Sequence, residues 1–409
     1  MGAGSSPFAG VAEARRALPA NVRALGWVSF ANDLASELLY PIVPLFLTVT
    51  LGAPVSVLGL IEGIAEGVAV GLRGAAGRLS DRVGGGRRMP WVVAGYSATA
   101  VSRPLLAAAP AWGWVLGARL VDRLGKAART APRDALISGS TPPELRGASF
   151  GYHRALDTAG AVLGPLVAVG LLAAGVSLRD VLWFAVAPGA AALLLLRHVK
   201  EPRAAAAREG AHPALPLASL PRSFWLVLAV WVVFSLGNSS DVFLILRARD
   251  LGLGTTLVVL AYALYNLVYA SLAWPLGALS DRVPRRVVLA GGLAVFALVY
   301  LGFALEPGAA AVWPLLALYG VYVAGTEGVA KAWVADHAPA EAAGTAYGLF
   351  AAATGGSLLV ASVVAGLLWT RVAPAAPFVL GASSAGAGLV LLALLALRER
   401  RRPRGRRRG

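Results

Sequence analysis

Carboxylate side chains occur at helical spacing inside apolar segments of the sequence. Asp33 and Glu37 are four residues apart within the segment 25–49, so they lie on one face of a helix. A charge at the middle of a bilayer costs roughly 3 kcal/mol on insertion scales, so such a residue usually faces a cavity or a partner. Because burial disfavours an ionised carboxylate, this pair suits a group that binds a proton when occluded and releases it when exposed.

A cationic stripe runs along the segment 112–136. Its members recur every three or four positions, which places them on one face of a helix. They are Arg119, Arg123, Lys126, Arg129 and Arg133. Such a face cannot contact lipid, so it lines a central cavity or pairs with acids. Two interpretations stay open: the stripe balances Asp33 and Glu37 in a proton-coupling network, or it binds an anionic substrate.

Further ionisable residues stand in other apolar segments, and each either lines a cavity or forms a structural ion pair. They are Glu62, Glu66, Asp157, Asp241, Glu327 and Lys331. Glu327 and Lys331 are four residues apart, a spacing that allows an ion pair within one helix. Asp241 follows Gly237, which would loosen its helix.

Two other sets of residues carry weaker signals. His153 lies near the start of its segment, where we expect it to face lipid headgroups. Tyr262, Tyr265 and Tyr269 are at helical spacing, and we expect them to serve packing rather than substrate binding.

The elements that hold these residues are apolar segments long enough to cross a membrane. Hydrophobic residues form 57% of the chain and charged residues 14%, against about 25% charged in soluble domains. Segments of about 20 apolar residues span a bilayer. Twelve are predicted, at 25–49, 55–78, 90–109, 112–136, 147–174, 179–197, 222–246, 254–279, 285–305, 310–336, 343–370 and 374–397.

Charge distribution orients these segments. Basic residues concentrate in alternate loops and in the arginine-rich tail 398–409, which predicts that these loops and both termini are cytoplasmic. Residues 1–24 form a polar leader, 25–197 a first bundle of six helices, 198–221 a charged linker and 222–397 a second bundle. Two parallel bundles related by an axis along the membrane normal are typical of alternating-access carriers.

Two sequence repeats relate the bundles. GRLSDRV at 77–83 returns as GALSDRV at 277–283, and in each copy a pair of arginines follows. A second repeat joins Pro142, Glu144, Gly147 and Gly151 to the residues 197 positions later. In the first repeat the acid of each Ser-Asp-Arg turn can meet a helix N-terminus or an arginine, which predicts a conformational latch. Its residues would be Gly77, Asp81, Arg82 and Arg88, with Gly277, Asp281 and Arg282 in the second copy.

The repeated turn and the twelve-segment layout resemble the major facilitator superfamily, over essentially the whole chain. Gly160, Gly164 and Pro165 resemble a fifth-span motif of its proton-coupled exporters. Arg119 begins a fourth-span motif that is incomplete, because Arg123 replaces its first glycine. The resemblance implies a latch in the outward-open state. We expect Asp81 to matter more than Asp281, since its turn is richer in glycine and lies beside the cationic stripe.

These features predict an all-α membrane protein that carries a small molecule by alternating access, as a proton-coupled exporter of a bacterial cytoplasmic membrane. A carrier of anionic metabolites that uses the cationic stripe is the alternative. An enzyme is not expected, because the four histidines are dispersed and no nucleophile arrangement or metal cluster occurs. No cofactor and no nucleic acid are expected; the predicted partners are a substrate and anionic lipids, with the chain a monomer.

Overall fold

The computed structural model describes residues 17–53, 74–82, 87–201, 220–253, 255–305 and 308–401, with isolated positions at 61, 64, 69, 72 and 217. Within these residues every regular element is a helix. Glu62, Glu66, most of the predicted second span and linker, and the last eight residues of the tail lie outside the described part.

Among the described residues, six main helices precede the linker and form the first half. They are α1 (Ala20–Leu39), α2 (74–82), α3 (Met89–Ala107), α4 (Trp112–Gly139), α5 (Arg146–Ala173) and α6 (Leu178–Leu196, with a turn at Ala185). A short helix (Ile42–Leu45) and a π-helical turn (Phe46–Thr50) extend the chain beyond α1.

The second half follows the same order. Its helices are α7a (Arg222–Ser235), α7b (Val242–Asp250), α8 (Thr255–Arg282), α9 (Arg285–Ala304), α10 (Val312–His337), α11 (Ala343–Arg371) and α12 (Ala376–Arg401). Among the described residues, six helices are long and apolar enough to cross a membrane. Large apolar side chains such as Leu166, Val363 and Leu394 are exposed on these helices, as expected of a lipid-facing surface.

The helix boundaries at the Ser-Asp-Arg repeats and at Gly237 add to the sequence prediction. The Ser-Asp-Arg residues were predicted as turns, but Asp81 lies within α2 and Asp281 within α8. The Ser-Asp-Arg residues do not interrupt a helix. In the second copy the helix ends just before Pro284, which precedes α9. The predicted weakness at Gly237 is a true interruption, because the helix stops at Ser235 and resumes at Val242.

The halves pack against each other through α5 on α8 and α10, and through α4 on α11. The carboxyl ends of α2, α4, α8 and α10 and the amino ends of α5, α9 and α11 meet at one end of the molecule. We call it the basic end, because the arginines of both repeats lie there. The predicted sites of both repeats are therefore brought to a single layer between the halves.

Candidate functional site

The carboxylate of Asp81 binds the first amides of α11. Its oxygens accept hydrogen bonds from Gly344 N (3.1 Å) and Thr345 N (2.5 Å). Arg88 Nη2 lies 3.7 Å from the same carboxylate. The free N–H groups and the positive dipole end of a helix favour an anion at this place. We call this contact between the halves the first clasp.

Asp281 makes the equivalent contact at the start of α5, the second clasp. It accepts hydrogen bonds from Gly147 N (2.7 Å) and Ala148 N (2.8 Å), and Arg285 Nη1 lies at 2.9 Å. The arginine that pairs with Asp281 is therefore Arg285, which we did not name from the sequence beside the predicted Arg282. Arg285 is four residues from Asp281 and shares its face, whereas the Arg282 side chain is exposed.

The two clasps consist of the same kinds of contact, two backbone amides and one arginine around a carboxylate. Burial raises the pKa of the Asp81 and Asp281 carboxyls above the ordinary value, while the arginines and backbone amides oppose that rise. The closer arginine belongs to Asp281. Arg82, predicted with the latch, is exposed. These contacts give no reason for Asp81 to stabilise the closed state more than Asp281 does, although we expected this from its glycine-rich turn.

Glycines bring the helix backbones together beside each clasp. A Cβ on Gly77 would lie 2.3 Å from the carbonyl oxygen of Gly344, and one on Gly277 would lie 2.3 Å from that of Gly147. Such distances leave no room for a side chain. Gly147 and Gly344 belong to the second repeat, so the two repeats pack on each other across the halves.

Two ion pairs cross between the halves about 8–15 Å from the basic end, by the helical rise of 1.5 Å per residue. Lys331 Nζ lies 2.5 Å from Asp134 Oδ2, and Arg154 Nε lies 3.1 Å from Glu327 Oε2. The possible pair between Glu327 and Lys331 within α10 does not form. Both side chains face the other half, where α4 and α5 supply a partner for each.

The two other predicted acids have local partners. Asp157 pairs with Arg154 at 2.8 Å and accepts a hydrogen bond from Ser29. Asp241 lies at the break between α7a and α7b, where Tyr319 Oη (2.8 Å) and Tyr265 Oη (3.2 Å) donate to it.

The tyrosines of α8 therefore do more than pack. Tyr269 Oη donates to Glu327 at 2.7 Å, and Tyr265 donates to Asp241. His153 also departs from its prediction: it is 1% exposed, so it is buried in the protein and does not lie among headgroups. Helical spacing identified the face of each residue, but not which helix covers that face.

A cavity of about 230 Å³ lies within the first half, and we call it the N-half cavity. Asp33 and Glu37 of α1 line it together with Arg119 and Arg123 of α4, so the structure brings these four residues to one cavity. Its other charged lining residues are Arg103, Asp122, Lys126 and Arg129. The site thus combines carboxylates that could exchange protons with cations that could offset their charge.

The cationic stripe divides along its length. Arg119, Arg123, Lys126 and Arg129 line the N-half cavity, but the Arg129 guanidinium also stacks 4.4 Å from the Tyr96 ring centre and donates to Thr99. Arg133 pairs with Asp134 at 3.1 Å, nearer the basic end. The part of the stripe that a solute in the N-half cavity can reach is therefore the part farther from the basic end, from Arg119 to Arg129.

Arg103 of α3 is a member of this site that we did not single out from the sequence. It is 1% exposed, and its Nη2 donates to Asn32 Oδ1 (2.8 Å) and Asn32 O (3.0 Å). The signal was present, because Arg103 is a cation inside a predicted span, and the cost of burying it would have identified it.

A second cavity, of about 400 Å³, lies between the halves, and we call it the central cavity. Its floor toward the basic end contains the two inter-half ion pairs. Aromatic side chains of the second half form much of its wall, and Lys126 lines both cavities. The described lining residues of the wall include Trp231, Phe234, Tyr322, Tyr347 and Phe350.

The fifth-span motif holds helices together within one half. A Cβ on Gly160 would lie 2.5 Å from Phe30 O, and one on Gly164 would lie 2.7 Å from Leu38 N. Pro165 lies inside α5. The two glycines set the distance between α5 and α1, which carries Asp33 and Glu37, and the three motif residues are not among the described lining residues of the N-half cavity.

Comparison with known proteins agrees with this architecture. The model of the Major Facilitator Superfamily matches residues 25–356 and 242–409. The chain belongs to this superfamily. An uncharacterized MFS-type transporter of Methanocaldococcus jannaschii is 36% identical over 385 residues, covering 92% of this chain and 95% of the relative. The crystal structure of the E. coli fucose:proton symporter FucP matches with a TM-score of 0.74 at 13% identity, covering 91% of this chain and 98% of that one.

A partial relative is also similar. The multidrug resistance protein MdtH of Photorhabdus laumondii is 31% identical over 135 residues, which is 33% of each chain. The resemblance to the superfamily that the repeated turn suggested is thus confirmed, and the chain is a multi-pass membrane transporter with an all-helical fold.

Proposed function

We propose that the protein is a secondary carrier that works by alternating access and exports a small molecule in exchange for protons. Its twelve spans would form two bundles, with the basic end and both termini on the cytoplasmic side of a bacterial membrane. The observation that carries this proposal is the central cavity, closed toward the basic end by the two ion pairs and the two clasps.

In this proposal the structure represents the state closed to the cytoplasm. Opening toward the cytoplasm requires both clasps and both ion pairs to break, because each joins one half to the other. Every one of these contacts consists of groups that water can solvate, so the loss on opening is offset by hydration. The balance between the two states can then be shifted by substrate and by protons.

Proton coupling is assigned to Asp33 and Glu37. Both line the N-half cavity, where Lys126 and the arginines of α4 supply positive charge. Protonation of either acid increases the excess of positive charge in the cavity, and deprotonation reduces it. A proton taken up from one side therefore changes the electrostatics of α4, which packs on α11 of the other half. Export is favoured over import by the fifth-span motif and by the partial match to a multidrug resistance protein.

Transport of an anionic solute is the second candidate. Among the described lining residues of the N-half cavity, five side chains are cationic and three are acidic. The cations are Arg103, Arg119, Arg123, Lys126 and Arg129, and the acids are Asp33, Glu37 and Asp122. This excess would attract a carboxylate or phosphate group.

Proteoliposomes with an imposed pH gradient test the proposal. We expect the gradient to drive accumulation of an exported compound, found by screening a panel of dyes, drugs and organic acids. Asp33→Asn and Glu37→Gln should abolish gradient-driven accumulation while substrate exchange continues. Glu144→Gln, at an exposed position outside both cavities, is the matched control.

Two outcomes would contradict the assignment. If both acid variants remain fully coupled, the site on α1 is not the coupling site. If transport of organic acids is lost in Arg119→Gln and Arg123→Gln but kept in Asp33→Asn, the protein is instead a carrier of anions.

A further inference from the structure

We propose that the central cavity binds an uncharged, planar aromatic molecule that carries both a hydrogen-bond acceptor and a hydrogen-bond donor. This inference rests on the proposed transport function, since it names the class of substrate for the same cavity. Its basis is the aromatic wall together with two buried polar atoms that have no hydrogen-bond partner among the residues the structure describes.

The wall is built from rings that expose faces and edges to the cavity. The Trp231 ring lies edge-on to Phe350, with ring centres 6.1 Å apart, and edge-on to Phe234 at 5.7 Å. Tyr322 and Tyr347 complete the wall from α10 and α11. Aromatic pairs in such geometry are stabilising, and a flat ring entering the cavity can add to the cluster. A volume of about 400 Å³ also falls in the range of roughly 300–1,000 Å³ that small-molecule pockets have.

The donor that a ligand would meet is the indole N–H of Trp231. The side chain is 7% exposed, and among the described residues Nε1 is buried with no hydrogen-bond partner. Buried indole N–H groups usually find a partner. An unpaired donor on a cavity wall is therefore a place where a ligand's acceptor is favoured.

The acceptor that a ligand would meet is the side-chain oxygen of Asn238. Its amide nitrogen donates to Tyr322 Oη at 3.1 Å, which fixes the amide, while Oδ1 is buried and has no partner within the described part of the chain. Asn238 lies in the break between α7a and α7b, and both Asn238 and Trp231 line the central cavity. One ligand in the cavity can thus satisfy both atoms.

The charges around the cavity argue for an uncharged ligand. Asp134 and Lys331 pair with each other, as do Arg154 and Glu327, and Lys126 interacts with the carboxylates of the N-half cavity. A charged ligand would have to compete with an existing pair and lose its own hydration, whereas a neutral one leaves the floor intact.

Binding of 2-quinolinone to the full chain in nanodiscs tests this proposal by isothermal titration calorimetry. The compound is planar and uncharged, with a carbonyl acceptor beside an N–H donor. N-methyl-2-quinolinone keeps the acceptor but lacks the donor, and 2-naphthoate is a planar anion of similar size. We expect saturable binding of 2-quinolinone, about threefold to tenfold weaker binding of the N-methyl compound, and the weakest binding of 2-naphthoate.

Variants locate each contact. Asn238→Leu should remove the difference between the two quinolinones, because the partner of the N–H donor is gone. Trp231→Phe keeps a ring but loses the donor, so it should weaken both quinolinones by a similar factor. Trp225→Phe, on the same helix and outside the cavity, is the control and should leave both affinities unchanged.

The absence of saturable 2-quinolinone binding overturns the proposal. Equal affinity of the unmodified chain for the two quinolinones also overturns it, and this measurement needs no variant. Tighter binding of 2-naphthoate that is lost in Lys126→Gln identifies an anion site instead. These measurements are made at equilibrium without a gradient. A failure of proton coupling would therefore leave their result unchanged, and the two proposals can fail separately.

Discussion

Replacing Gly77 by alanine should open the basic end of the protein. The added Cβ would lie 2.3 Å from Gly344 O and 2.9 Å from Gly348 Cα, whereas ordinary contacts begin at 3.4 Å. Helices α2 and α11 must therefore separate by roughly 1 Å, at a cost of about 1–3 kcal/mol. The same displacement weakens the bonds from Asp81 to Gly344 N and Thr345 N. Because this strain exists only when the halves are closed, the open state should gain about 5–150-fold in relative population.

Gly74→Ala is the matched control, one helical turn earlier on α2. Its Cβ would lie 3.5 Å from Ala352 Cβ, an ordinary contact, and it carries the same gain in helix propensity. Since the chain has no cysteine, spin labels can be placed on Glu144→Cys and Val287→Cys, exposed positions on opposite halves at the basic end. Electron–electron double resonance should show a longer distance for Gly77→Ala only. Equal distributions for the two alanine variants would refute the role given to this close approach.

Three further predictions concern contacts between and within the halves. Asp281→Asn should lengthen the same spin-label distance at least as much as Asp81→Asn does, because the carboxylate of Asp281 has the closer arginine. An unchanged distance in Asp281→Asn would contradict this. Asp134→Asn should cost about 3–5 kcal/mol in the free energy of unfolding in detergent, because it leaves Lys331 without a carboxylate, and Lys331→Met should cost less, because Arg133 still pairs with Asp134. The double variant should lose less than the sum, and additive losses would mean that the pair does not interact. Gly160→Ala should lower the free energy of unfolding by about 1–3 kcal/mol, while Gly170→Ala, with open space around its Cβ, should not lower the melting temperature and should raise it slightly through helix propensity. Equal melting temperatures for the two variants would exclude the predicted clash.

The sequence was sufficient for properties that depend on local pattern. Apolar length predicted a helical membrane protein, and repeats 200 positions apart predicted two related halves. Asp33, Glu37, Arg119 and Arg123 do share one cavity, because helical periodicity restricts charges to one face and lipid excludes them from the other. The interruption near Gly237 was also predicted, since a glycine weakens a helix wherever it stands.

Partners across the halves could not be predicted in the same way. Spacing put Glu327 and Lys331 on one face of α10, but the choice between pairing with each other and pairing with α4 and α5 depends on how the bundles are docked. The same limit explains His153, whose depth from the helix start suggested a headgroup position, although α5 is covered by the second half at that level. Trp231 gave no signal, because an unpaired indole N–H is a property of its surroundings.

The packing of the two repeats on each other has a simple origin in symmetry. In a twofold dimer, if residue i of one copy contacts residue j of the other, then j of the first contacts i of the second. Gly77 meets Gly344 and Gly277 meets Gly147, and Gly344 is the repeat of Gly147, so this chain keeps that reciprocal pattern within one polypeptide. Each clasp needs an acid from one half and a helix start from the other. Both clasps can therefore close only if each half contains both repeats. A difference between the clasps can arise only from neighbouring residues that are not equivalent in the two halves.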